Sequence, residues 1–312
     1  MQLLKRRESM ILFFIVALII FFSIVTSGRF ASYSNIIQIL VNAVPIIISS
    51  IGMTMIIITA GIDVSAGSVV GLVGMTVSVL SLQGIWSPYD WIIGLLLGAL
   101  LGFFNAILIW NLKIAPIIAT LATMGIYRSL VFTVSGGRWA IGMPSLLLWI
   151  GSGTIFGIPF SIFLMVALII YFIYFMARRV TGRNIYAIGN NIEAARTAGV
   201  PVGKTIFFIY TLAGMLYAIS AFAILGRTGL AQSTMGTGFE LEVIAAVVIG
   251  GTNILGGEGT IIGSLIGALL VAVIEDGIVL ANIPPLLTDF VLGALILIAI
   301  SIDVVIKRRE IA

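Results

Sequence analysis

The sequence predicts an all-α polytopic membrane protein of about ten transmembrane helices in two weakly related halves. Three observations lead there. Of the 312 residues, 61% are hydrophobic and only 9% charged, against roughly 45–50% and 25% in soluble domains. Apolar stretches of about 20 residues, the length needed to cross some 30 Å of hydrocarbon, recur along the whole chain. The cations cluster in a few short polar intervals rather than along a stripe.

In chain order the spans are residues 10–26, 36–59, 64–83, 91–112, 115–134, 158–177, 205–225, 240–256, 259–281 and 286–306. The first, Met10–Val25, lacks a small-residue cleavage motif and reads as a retained span rather than a signal peptide. The second and third are separated only by Ala60–Asp63, and the eighth and ninth only around Gly257. These glycine-rich junctions suit either tight hairpins or broken helices. GIDVSAGSVVGL (Gly61–Leu72) and GGEGTIIGSLIGALL (Gly256–Leu270) echo each other, Gly67-Ser68 matching Gly259-Thr260. Such internal repeats accompany transport pathways between related bundles. Gly94, Gly98, Gly102 and Gly259, Gly263, Gly267 fall every fourth residue, a spacing that lets helices pack closely in lipid.

Orientation follows from charge. With both termini in the cytoplasm, twelve of the 16 cations lie inside: Lys5, Arg6, Arg7, Lys113, Arg178, Arg179, Arg183, Arg196, Lys204, Lys307, Arg308 and Arg309. The longest polar interval, 178–204, is then cytoplasmic. It carries its own helix signal: Asn191 as N-cap, Glu193 in the first turn, Gly199 at C′ and Pro201 beyond. A capped helix outside the bilayer needs a protein partner to hold it.

Composition also excludes functions. The net charge of +4 comes without interleaved aromatics, which argues against nucleic acid. Neither cysteine nor histidine occurs, so thiolate chemistry and the commonest metal ligand and proton relay are absent. No metal site and no catalytic residues are expected. No G-x-x-x-x-G-K-[ST] phosphate loop occurs, so ATP hydrolysis must come from another polypeptide. Asp63, Glu240, Glu242, Glu258, Glu275, Asp276 and Asp289 sit mostly at span ends, and no mid-depth carboxylate cluster points to ion coupling. Asp63, Ser65 and Ser68 are placed to cap the third span. Asn105, Thr120 and Thr123, around Lys113–Pro116, and Asn253, beside the second junction, offer uncharged polar groups to a neutral, hydroxyl-rich solute.

Four ordered motifs carry a resemblance over nearly the whole chain: TAGIDVSAGSVVGL (Thr59–Leu72), FNAILIWNLKIAPIIATLATM (Phe104–Met124), GRNIYAIGNNIEAARTAGVPVGK (Gly182–Lys204) and VIGGTNILGGEGTIIGSLIGALL (Val248–Leu270). With these the chain resembles the permease subunits of bacterial ATP-binding cassette (ABC) importers of the ribose/monosaccharide class, relatives of the branched-chain amino-acid permeases. The resemblance implies a type II-like ABC importer permease: one transmembrane domain over 1–312, multi-pass in the bacterial cytoplasmic membrane. It implies a second permease subunit, identical or different, a cytoplasmic ABC ATPase that binds the ATP, and an extracytoplasmic solute-binding protein. No cofactor is expected on the chain itself. Residues 178–204 become the coupling loop, with Glu193, Ala194, Ala195, Arg196 and Gly199 contacting the ATPase. The solute implied is a ribose-like monosaccharide; autoinducer-2 and riboside permeases share the motifs. A stand-alone ten-span secondary carrier is the alternative from a different class. The pattern departs from the family at Ala106, Ile117 and Glu275-Asp276, where glycine, phenylalanine and an Asn-Gly pair are more usual.

Overall fold

The computed structural model describes residues 2–83, 89–141, 145–284 and 287–298. The described residues form α1 (Gln2–Val25), α2 (Tyr33–Ile58), α3 (Ala66–Leu82), α4 (Asp90–Ala106), α5 (Pro116–Ser135), α6 (Ser145–Ser152), α7 (Phe160–Arg178), α8 (Val180–Asn190), α9 (Ile192–Thr197), α10 (Val202–Thr228), α11 (Phe239–Ile249), α12 (Ile261–Leu280) and α13 (Leu287–Ile298). Two-residue strands add short clasps: Ala140–Ile141 pairs with Leu230–Ala231, and Thr154–Ile155 with Ile158–Pro159.

Among the described residues, seven helices are long and apolar enough to cross a membrane: α1 from Glu8, α2, α4 extended to Asn111, α5, α7, α10 and α12. The other three predicted spans are shorter. α3 has 17 residues, α11 has 11, and α13 is described only to Ile298. The count of ten full helices is therefore not met among the described residues. The segment predicted at 240–256 is helical only to Ile249, where Gly250 and Gly251 end it and an irregular stretch runs to Thr260. The end of the last span and the cations Lys307–Arg309 lie outside the described residues.

α2 is the buried axis. Every residue from Ala43 to Ile58 is buried, as expected of a helix apolar on all sides. Around it lie α10, α12, α11 and α7. Pro45 interrupts the α2 ladder, and a neighbouring helix engages that turn: Ser49 Oγ donates to Ser220 Oγ at 2.8 Å, and Ser220 Oγ donates to the Pro45 carbonyl at 2.9 Å.

The glycine ladders mark where backbones touch. A Cβ at Gly98 or Gly102 would collide with the Gly214 or Tyr210 carbonyl, so α4 lies directly on α10. Likewise a Cβ at Gly263 or Gly267 would collide with the Gly250 or Ala246 carbonyl, so α12 lies directly on α11. α4 ends in a π-turn, Ile107–Asn111, before Lys113 takes φ +54° and Pro116 opens α5.

Candidate functional site

The polar interval folds as two helices, not the single one its capping signals suggest. α9 forms as expected. Asn191 Oδ1 accepts from the Ala194 amide at 2.9 Å, an N-cap bond. At the other end Val200 N–H reaches the Ala195 carbonyl and Gly199 N–H the Arg196 carbonyl, both at 3.0 Å, with Gly199 at φ +80°. That is a Schellman closure, for which glycine is suited by its lack of a Cβ. Of the predicted contact residues, Glu193, Ala194, Arg196 and Gly199 are exposed and Ala195 is buried. Glu193 and Arg196 pair with each other at 3.0 Å on the surface.

α8 is the element sequence reasoning missed. Gly182 and Gly189 lower its intrinsic helix propensity, yet Gly182, Ile185 and Ile188 form one buried face. The glycines are there for packing. A Cβ on Gly189 would collide with the Ile58 carbonyl and come within 2.5 Å of the Gly257 nitrogen. Gly257 N–H itself donates to the Ile58 carbonyl at 2.8 Å. Tyr186 Oη donates to the Gly259 carbonyl at 2.8 Å, and burial pushes its phenol up from the ordinary value. α8 thus touches both glycine-rich junctions at once: the end of α2 and the stretch leading into α12. The signal available in the sequence was the coincidence of an in-helix glycine at 189 with Gly256, Gly257 and Gly259.

The first junction holds four of the predicted pathway residues. Asp63, Ser65, Asn105 and Thr120 are all buried. Asp63 Oδ1 accepts from Ser65 N at 2.9 Å and Ser65 Oγ at 2.6 Å; Asn105 Nδ2 donates to Ser65 Oγ at 2.9 Å, and Tyr127 Oη donates to Asn105 Oδ1 at 3.3 Å. Thr120 Oγ1 accepts from Val64 N and donates to the Ile62 carbonyl, each at 3.1 Å. This chain ties α3, α4 and α5 through the backbone of the break. The expected capping of α3 takes a different form: Ser65 stands at the cap position without a side-chain cap bond, because its hydroxyl is turned to Asp63. Thr123 is buried and bonds back to the Thr120 carbonyl at 3.2 Å. Ser68 lies a turn into α3, apart from this network. Asn253 is in the second junction, where its Oδ1 accepts from Leu255 N at 3.0 Å and shapes the turn. The repeat is offset in the structure: Gly67-Ser68 lies inside α3, whereas Gly259-Thr260 precedes α12, with Thr260 as its N-cap.

Comparison with known proteins agrees with this architecture. The family described as branched-chain amino acid transport system / permease component matches residues 35–300. The chain is similar to the autoinducer 2 import system permease protein LsrC of Enterobacter sp. (strain 638), 34% identical over 96% of this chain and 88% of that protein. It is equally 34% identical to that of Yersinia pestis (strain Pestoides F), over 96% and 85%. With that of Escherichia coli O9:H4 (strain HS) the identity is 33% over 88% and 80%. No solved structure matches it.

Proposed function

We propose, from the premise that this chain belongs to the branched-chain amino acid transport system permease family, that it is the permease through which an ABC importer brings autoinducer 2, or a closely similar small neutral polyol, into the cell. Subunits of this family do no catalysis; a partner ATPase and a solute-binding protein complete the importer. The observation that carries the solute reading is the likeness to permeases named for autoinducer 2 over 96% of the chain. It favours that solute over the ribose-like sugar the motifs alone suggested. The uncharged amide and hydroxyls of Asn105, Ser65 and Thr120 at the first junction are chemically compatible with either.

In this reading α9 is the coupling helix and α8 its lever. Nucleotide binding draws the ATPase pair together, and the exposed Glu193–Gly199 turn moves with it. Because α8 abuts the Ile58 carbonyl and Gly257, the movement reaches α2 and α12 together and tilts the bundle. The free energy enters as differential nucleotide affinity for the two arrangements. A second permease subunit is proposed to lie against α5, which packs chiefly on α3 and leaves Ile118, Leu121, Ile126 and Phe132 exposed.

Uptake of labelled autoinducer 2 and of D-ribose by cells carrying the complete importer tests the solute. ATP-dependent uptake of autoinducer 2, competed weakly by ribose, is expected. Ribose uptake unaffected by autoinducer 2 would return the solute to the sugar class.

A further inference from the structure

A cavity of about 350 Å³ lies between α3, α5 and the loop entering α11, away from the Asp63 network. It exists because two glycines let that loop lie on α3. A Cβ on Gly67 would collide with Glu240 Oε2 and the Gly236 carbonyl, and one on Gly71 would come within 2.5 Å of the Met235 carbonyl and 3.2 Å of Arg128 Nη1. Its walls include Ser68, Arg128, Phe132, Ser233, Thr234 and Glu240.

Two polar atoms of these groups are buried without a hydrogen-bond partner. Ser68 is 0% exposed and its Oγ makes no hydrogen bond among the described residues; nor does the buried Glu240 Oε2. Buried polar atoms are normally paired, so both are free to bind something placed in the cavity. Arg128 is fixed by a 2.7 Å bond from Nη1 to the Met235 carbonyl. Arg128 and Glu240 both line the cavity, and no ion pair within 4.0 Å joins them among the described residues. An anion would gain from one and be repelled by the other, as would a cation. A vicinal diol meets both requirements, since each hydroxyl both donates and accepts. Phe132 adds an apolar wall for carbon-bound hydrogens. The volume sits at the small end of the roughly 300–1,000 Å³ of small-molecule sites.

We infer that this cavity, with Ser68, Arg128 and Glu240 as its polar anchors, is a binding site within the permease for a small neutral polyol of about five carbons. The inference rests on the permease reading for its place in transport, but the site stands on its own geometry. It assigns to the permease a share of solute selection, in addition to that of the binding protein.

The chain contains no cysteine, so Thr234→Cys supplies a single thiol at the rim of the cavity. Its labelling by a small hydrophilic methanethiosulfonate reagent is followed in membranes holding the complete importer. D-ribose, xylitol and autoinducer 2 are tried as protectants, with D-ribose 5-phosphate as the charged control. At least one neutral polyol is expected to slow labelling about tenfold at saturation, and the phosphate to do nothing. Ser68→Ala and Glu240→Gln, conservative changes that keep the packing, are each expected to raise the half-protecting concentration about tenfold. No protection by any neutral polyol, protection equally by the phosphate, or protection unchanged in both variants would overturn the site. ATP-dependent uptake by the unaltered importer is measured alongside. Uptake without protection sinks this site alone, and protection without uptake sinks the permease reading alone.

Discussion

At Gly189 three backbones meet, and the position has no room for a side chain. Gly189→Ala puts a methyl group against the Ile58 carbonyl and the Gly257 nitrogen, and overpacking of this kind costs about 1–3 kcal/mol. The expected outcome is a lower thermal unfolding midpoint in detergent and uptake reduced more than that stability loss accounts for. Gly293 on α13, beside which a Cβ meets nothing within 4 Å, serves as the neutral control when changed to alanine. Asn191→Ala removes the bond to the Ala194 amide, at about 1 kcal/mol for a lost N-cap. Weaker association with the ATPase, with normal amounts of permease in the membrane, is expected on pull-down. The Asn191 cap and the Gly199 closure were legible in the sequence because caps are local: the residue types that accept from N-terminal amides or tolerate positive φ announce themselves. The role of Gly189 was not, since it depends on Ile58 and Gly257, far away in the chain.

Among elements, α8 couples what the sequence separates. Tyr186→Phe keeps the ring and deletes the hydroxyl that bonds the Gly259 carbonyl. A single hydrogen bond is worth about 0.5–1.5 kcal/mol net, too little to unfold a helix held by Ile185 and Ile188. ATP hydrolysis by the assembled importer is expected to persist while solute imported per ATP falls; an unchanged ratio would remove Tyr186 from the relay. The Glu193–Arg196 pair contrasts with this. It is exposed, and exposed pairs contribute about 0–1 kcal/mol, so exchanging the two residues leaves the unfolding midpoint in place and shows its effect in ATPase binding. The long spans α2, α4, α5, α7, α10 and α12 were legible from apolar length. α8 was not, because its two glycines oppose helix locally and only burial against the junctions decides it. The second junction was readable as a possible break from its glycines alone, but that α11 stops at Ile249 required its packing on α12 through Gly250 and Gly263.

In its described residues the whole molecule is a bundle around α2 whose two glycine-rich junctions converge on α8, the element proposed as the cytoplasmic lever. In the proposed function, that arrangement gives the partner ATPase a way to act on α2 and α12 at once. The proposed orientation also assigns sides. Phe156, at the turn between Thr154–Ile155 and Ile158–Pro159, is 97% exposed, and Thr197 ends α9. A cysteine at position 156 is expected to react with an impermeant thiol reagent added to intact cells stripped of outer barriers, and one at 197 only after the membrane is opened. The composition made the membrane class legible; the sidedness read from the cation pattern is what this labelling tests. The convergence of the junctions was not legible, because hydrogen bonds such as Gly257 N–H to the Ile58 carbonyl leave no local pattern. The central claim is that α9 is where the ATPase moves this chain. Ala194, exposed on α9, is changed to cysteine, and a short thiol–amine cross-linker is added to membranes bearing the complete importer. A permease–ATPase adduct is predicted from position 194 and none from position 156, with solute uptake abolished as the adduct forms. Modification of the position 194 thiol without any adduct, and with uptake at the unmodified rate, would contradict it.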